Sequence, residues 1–387
     1  MNILFIRSKT FLTKEVENAF RKRADLTVTT LSMPLNPDQA AITSALDGIQ
    51  SVLPALVVII NDTGTDKVGI FVTELIKRGC FIVNWFHDDP LYEVIFSGRT
   101  LLTDPHIIYL VSERSFVDIL KIRGCQTFFM PLATDPSYFP KADDTGFLYD
   151  VSFVGNSSSL FIDSIMTEHR GNEINRLLPL VASLKKRYYA NPQTDIHQYL
   201  LDTKKQWADT VSLDVNETVF LLEWLCGYFY RRDFVVAVSE HFKDRFVCFG
   251  DGDWEHFIRK SRVSAEACYY TTLYKCYTAT KVNLNINRIQ IRTSFTQRVF
   301  DCAACGAFLL TDKRELNSSY FSIDGSDQEL VEFTSLNDCI DKTEHFITHE
   351  DERKAIAQRA QKKVLELHTY DNRIISILAI CKDVWGV

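Results

Sequence analysis

Thr293-Ser-Phe-Thr-Gln-Arg-Val-Phe-Asp-Cys-Ala-Ala-Cys-Gly-Ala-Phe-Leu-Leu-Thr-Asp312 reads as a loop entering a short helix. A glycine stop follows at Gly306, then a buried strand from Ala307 to Leu310 that ends in Thr311-Asp312. Arg298 and Asp301 share one face of the helix's first turns. A helix N-terminus attracts phosphate through its unpaired amides and its dipole, and a guanidinium beside it grips phosphate with two hydrogen bonds. Asp301 is then placed to accept hydrogen bonds from the two hydroxyls of a ribose. Diphosphate plus ribose points to a nucleotide-sugar ligand.

The chain has 387 residues, enough for two domains that each bury a core. With 46% hydrophobic and 24% charged residues it reads as a soluble globular protein. It shows no apolar run of the roughly 18 residues a membrane span needs. The N-terminus is a short strand without a signal-peptide pattern. Ten cysteines scattered through apolar segments fit reduced, buried thiols, so the expected location is cytoplasmic. The net charge of −7 is spread over both halves, without the basic excess of a duplex-binding module, so nucleic acid is not the expected partner. Lys185-Lys186-Arg187 and Arg231-Arg232 read as solvated helix faces.

Short β-rich runs alternate with helical patterns over the first 140 residues. The strands are Ile3–Ile6, Leu56–Ile60, Phe81–Phe86, Ile107–Val111 and Thr127–Met130, and helices are expected at Thr13–Arg23, Lys67–Arg78 and Phe116–Ile122. Continuous apolar strands between helices imply a parallel, doubly wound sheet, whose ligands bind at the carboxyl ends of its strands. Asn61, His87, Asp88, Asp89 and Ser112 fall there. Residues 1–140 therefore form a first Rossmann-like domain, and the proline-rich, then polar stretch leads to a linker at 141–149. A second α/β domain spans 150–367, with a largely helical insertion at about 160–240, and 368–387 closes the chain.

With these pieces in order, the chain resembles the GT-B glycosyltransferases, and within them the CgeB-like (spore-maturation-protein-like) group with its glycosyl transferase family 1-type C-terminal domain. The matching residues are Trp85-Phe-His-Asp-Asp-Pro90, Leu132-Ala-Thr-Asp-Pro-Ser-Tyr-Phe139, Asp150-Val-Ser-Phe-Val-Gly-Asn156 and Phe249-Gly-Asp-Gly-Asp-Trp254. Tyr277-Thr-Ala-Thr-Lys-Val-Asn-Leu-Asn285, Arg298 to Gly306 with Leu309-Leu-Thr-Asp312, and His368-Thr-Tyr-Asp-Asn-Arg373 complete the set. The resemblance implies two Rossmann-like domains facing a cleft. The C-terminal domain would bind a nucleotide-diphosphate sugar, with a UDP-sugar as the expected donor, and the N-terminal domain an acceptor. The last segment would return to the N-terminal domain. It also implies a hexosyltransferase acting on a cell-surface glycan precursor or a protein, with no obligatory cofactor or metal. Positive side chains would stabilise the leaving diphosphate. Many retaining members carry paired glutamates where Thr293 and Asp301 stand here, and Thr296 replaces a common glycine. The motif therefore does not decide between retention and inversion of configuration.

The donor-side candidates are Arg298 for the diphosphate, Asp301 for the ribose, and Gly155 and Asn156 for backbone approach. Thr296, Lys281 and Trp254 join them, Lys281 as an added charge and Trp254 as a stacking surface for the base. Asn283 and Asn285 alternate on a strand end as candidates for sugar hydroxyls, and Arg292 is a second phosphate candidate. A general base for the acceptor hydroxyl is expected among Asp88, Asp89 and His87, against the competing reading that Asp89-Pro90 caps the next helix. Asp251-Gly-Asp253 has the spacing of a metal-binding DxD, the rival being a tight turn. Cys302 and Cys305 read as buried thiols, and His345 and His349 as a surface helix face. A nucleotide-sugar epimerase or hydrolase, or a non-catalytic scaffold, would share these features.

Overall fold

The computed structural model describes residues 1–8, 11–95, 98–141, 146–168, 171–191, 194–210 and 215–387. The chain packs as two compact units, Met1–Asp135 with His368–Val387, and Pro136–Leu367. Of the expected linker, residues 142–145 lie outside the described residues, and Tyr149 already opens a strand.

The first unit holds six parallel strands: β1 (Asn2–Arg7), β2 (Thr27–Ser32), β3 (Leu56–Ile60), β4 (Phe81–Phe86), β5 (Ile107–Val111) and β6 (Thr127–Phe129). Their order is β2-β1-β3-β4-β5-β6. β3 and β5 are buried along their whole length, which is why they are unbroken runs of apolar residues. β2, Thr-Val-Thr-Thr-Leu-Ser, is a half-buried edge strand and carries no such run. The expected helix 67–78 is shorter, Ile70–Lys77. Gly69 sits at φ 81° just before it, and the Asp66 carboxylate accepts hydrogen bonds from the amides of Ile70 and Phe71 at 2.9 and 2.7 Å, so the helix starts there.

The last helix, Tyr370–Trp385, belongs to this unit. Thr369 and Asn372 form a reciprocal capping box at its start. Arg373 is buried and donates to the carbonyls of Pro131 at 2.9 Å and Leu132 at 3.0 Å. At the far end Trp385 stacks on Phe81, ring centroids 4.7 Å apart, and donates to the Pro105 carbonyl.

The second unit carries β7 (Tyr149–Val154), β8 (Phe246–Phe249), β9 (Arg262–Ser264), β10 (Thr280–Asn285), β11 (Leu309–Asp312) and β12 (Val331–Phe333). All pairings are parallel, in the order β12-β11-β10-β7-β8-β9. The chain winds outward from β7 to β9, crosses back to β10, and winds the other way. The switch point, where a doubly wound sheet opens a crevice, thus lies between the carboxyl ends of β7 and β10. Between β7 and β8 stand the helices Ser159–Glu168, Gly171–Ala190, Ile196–Asp202 and Val215–Phe242. The last of these is apolar nearly all round because it is covered on several sides, by the first three, by the helix Leu336–Thr348 and by β8.

The C-terminal anchor should be measurable by urea denaturation. Thr369→Ala removes the cap and should cost about 1 kcal/mol. Arg373→Ala strands two buried carbonyls and should cost roughly 3 kcal/mol.

Candidate active site

β7 ends at Val154, and a side chain on the next residue would be crowded. A Cβ on Gly155 would stand 3.1 Å from the Phe153 ring and 3.4 Å from the Arg298 guanidinium. Gly250, just past β8, is tighter, because a Cβ there would lie 2.5 Å from the Gly155 carbonyl oxygen and 2.7 Å from the Trp254 ring. The two loops are fastened by hydrogen bonds. Gly155 N–H donates to Phe249 at 2.9 Å, Trp254 Nε1 donates to the Gly155 carbonyl at 2.8 Å, and Ser157 N–H donates to Asp251 Oδ2 at 2.8 Å.

Past β10 the chain is held just as firmly. Asn287 donates its backbone and side-chain N–H groups to Asp312 Oδ1, and its own Oδ1 accepts from Asn285 Nδ2 at 3.2 Å and Thr296 N–H at 3.3 Å. Asp312 also pairs with Arg314 at 2.6 Å, and Arg314 donates to Tyr188 Oη. This lattice delivers the loop 286–297 to the helix Arg298–Ala304. Arg298 ends half-buried against Gly155, with no hydrogen bond or ion pair to any described residue.

Two more arginines converge here. Arg231, on the helix Val215–Phe242, is 5% exposed and donates from Nη2 to the Ile286 carbonyl at 3.0 Å. It pairs with no carboxylate among the described residues, and its Nε has no partner. Burial first, then the positive charges of Arg288 and Arg298, push its pKa well down. Arg288 lies over the Trp224 ring at 5.5 Å. Ser157, Ser158, Arg231, Arg288 and Gln290 line one narrow cavity beside the switch point, and Gln290 Nε2 is buried without a partner.

A model of the family described as Glycosyl transferase-like matches residues 231–379. No curated protein matches the chain significantly. Solved structures match it along nearly its whole length. A glycosyltransferase from Rickettsia africae aligns at TM-score 0.55 and 10% identity, covering 99% of this chain and 98% of its own. Anabaena HepE in complex with UDP-glucose aligns at 0.55 and 9%, covering 98% and 99%. An α-glucosyltransferase in complex with UDP-glucose and DNA containing an abasic site aligns at 0.59 and 9%, also covering 98% and 99%. The fold is GT-B.

Within this GT-B chain the donor-side candidates separate. Arg298 and Gly155 meet at the switch point, with exposed Asn156 next in sequence. Thr296 is close by in the chain, its backbone held by Asn287 and its hydroxyl buried without a partner. Trp254 is corrected: it is fully buried, with its indole N–H on Gly155, so no ring face is open to a base. Lys281 is corrected too. It stands at the amino end of β10 and pairs with Asp150 at 2.7 Å, at the opposite edge of the sheet from Gly155 and roughly 15 Å of strand away. Asp301 is fully buried and accepts from Tyr269 Oη at 3.0 Å, so a ribose cannot reach its carboxylate in this conformation.

Asn283 and Asn285 also point inward: Asn283 donates to Tyr277 and Phe308, Asn285 to Thr311 and Asn287. Arg292 pairs with Glu223 at 3.2 Å and Asp195 at 3.6 Å. Asp251 fastens a loop through Ser157, as a tight turn would. The buried Arg231 overturns the solvated reading of Arg231-Arg232. An arginine doublet interrupting the otherwise largely apolar stretch Val219–Val238 was the signal that could have found it.

In the first unit, His87 Nδ1 and Nε2 are buried without hydrogen-bond partners, and the ring stands edge-on to Trp85 at 4.6 Å. Desolvation pushes its pKa down to about 3, opposed only weakly by the backbone at Phe11. An imidazole that weakly basic is mismatched to proton abstraction near neutrality, which corrects His87 as a general base. Asp89 Oδ1 accepts from Leu91 N–H at 2.8 Å and caps the helix Pro90–Ile95, as the competing reading held. Asp88 is exposed and accepts from Asn61 Nδ2 at 2.8 Å.

His87 carries a pH prediction. Unfolded, the imidazole takes a proton below about 6.5, whereas folded it does not until about 3. Its contribution is therefore complete above pH 6.5 and lost as pH falls toward 3. Between pH 7 and 4.5 wild type should lose about 2–3 kcal/mol that His87→Leu does not lose, read from urea midpoints at the two pH values.

Proposed function

We propose that the chain is a hexosyltransferase of the CgeB-like group, transferring a sugar from a UDP-sugar without an obligatory metal. The observation that carries this reading is the Arg298 guanidinium, unpaired among the described residues and set against Gly155 at the switch point of the second sheet. Anabaena HepE and the α-glucosyltransferase were each solved with UDP-glucose, which supports the choice of donor. In the reaction the bond from the anomeric carbon to the diphosphate breaks, a bond to an acceptor oxygen forms, and the acceptor hydroxyl gives up its proton. Negative charge grows on the diphosphate, and Arg298 is placed to stabilise it. Asn156 and Thr296 are proposed to approach the donor through backbone and hydroxyl. Asp301 would join through the ribose only if Tyr269 swings away.

The acceptor side is assigned to the first unit, with Asp88 as the carboxylate to test as base. A glycan precursor or protein is preferred over nucleic acid because the net charge is −7. No described helix is long and apolar enough to cross a membrane, and a cytoplasmic location is part of the proposal.

Thermal stabilisation by UDP, GDP, dTDP, ADP and CMP, with EDTA or with manganese, tests the donor site. UDP should stabilise equally in EDTA, by roughly 2.7 kcal/mol at a hundredfold excess over its Kd. Arg298→Ala should abolish turnover and weaken UDP binding by roughly 2–4 kcal/mol, and unchanged UDP affinity in that variant would overturn the assignment. Asp88→Asn should lower turnover while leaving UDP binding intact.

A further inference from the structure

We infer that Arg231 is a phosphate-binding residue: with Gln290 and Arg298 it forms a cradle for a diphosphate, and its charge is held in the fold for that ligand. The inference rests on the donor reading above and adds a residue from the helical insertion. Arg231 is buried with a single hydrogen bond, to the Ile286 carbonyl, and no carboxylate partner among the described residues. A buried cation without a counter-charge costs stability unless a ligand supplies one. Its Nε and Gln290 Nε2 are both buried donors without partners, and both residues line the cavity that also carries Ser157, Ser158 and Arg288. Arg298 borders the same switch point at Gly155. Unfilled donors call for an acceptor-only ligand, and donors spread over separate segments call for an anion with two linked phosphoryl groups, which spans them as a single phosphate does not.

The experiment compares UDP with UMP, and pyrophosphate with phosphate, on wild type, Arg231→Met and Arg231→Lys, reading melting temperature and calorimetric affinity. Wild type should prefer UDP over UMP, and pyrophosphate over phosphate, by 30-fold or more. Arg231→Met should melt at or above wild type without ligand, yet lose that preference, and Arg231→Lys should regain part of it. If Arg231→Met melts lower but keeps the preference, Arg231 only holds Ile286 and the inference is overturned. If Arg231→Met does not fold, Gln290→Leu decides, and a retained UDP preference in it overturns the cradle. Wild type stabilised by pyrophosphate but by no nucleotide would remove the donor reading and keep the cradle, and stabilisation by neither would remove the cradle.

Discussion

The crossing of two backbones at the carboxyl ends of β7 and β8 sets the geometry of the second unit. A side chain at Gly250 would press on the carbonyl of Gly155, and a side chain at Gly155 would press on Phe153 and Arg298. Trp254 then fills the space beneath and ties its indole N–H to that same carbonyl. A buried carbonyl needs such a donor, and the large ring excludes water from the crossing. The consequence reaches the chemistry. With the β7 and β8 loops pinned, Arg298, arriving by way of β10, lies against bare backbone. A ligand's phosphate can meet main chain and guanidinium together.

Arg231 and Arg314 show how the same side chain serves two ends. Both lie almost fully inside the second unit. Burial disfavours the charge of each, but beside Arg314 the Asp312 carboxylate outweighs that cost and raises its pKa, with Tyr188 adding a hydrogen bond. At Arg231 burial and the charges of Arg288 and Arg298 outweigh the Asp312 carboxylate, which forms no ion pair with it, and its pKa falls. Arg314 thus has its counter-charge within the protein and acts as a brace between β11 and the helix Gly171–Ala190. Arg231 is incomplete, and the missing partner is an anion.

Most of the fold was legible in the sequence because buried parallel strands must be unbroken apolar runs. Leu56–Ile60, Phe81–Phe86 and Ile107–Val111 fall where such runs stand. β2 was not legible: at a sheet edge, half-buried and rich in threonine, it lacks the run that burial on both faces would impose. The site was legible in part. The loop-helix pattern and the strand-end glycine pointed to Arg298 and Gly155, and the fold brings these two together. Lys281 was misplaced because proximity along the chain hides which end of a strand a residue occupies. That Trp254 and Asp301 are fully buried was not legible, because residue type signals binding chemistry but not burial. Arg231 escaped because its partners come from other segments, and a doublet of arginines on a helix ordinarily faces water.

The pattern of satisfied and unsatisfied polar atoms draws the outline of the ligand more sharply than residue type does. Beneath the switch point Asn287 donates two hydrogen bonds to Asp312 Oδ1 and ties the β10 and β11 ends together. Above it Arg231 Nε, Gln290 Nε2 and the Thr296 hydroxyl are buried without partners. Unpartnered acceptors stand in the same region, at Asp251 Oδ1 and Asn285 Oδ1, but these three donors lie on or beside the segments that meet at the switch point. Two of the three can only donate hydrogen bonds, and the third can do so. A sugar hydroxyl, which both donates and accepts, would leave part of that demand unmatched. Phosphate oxygens, which only accept and carry the charge the arginines lack, fit it from every side.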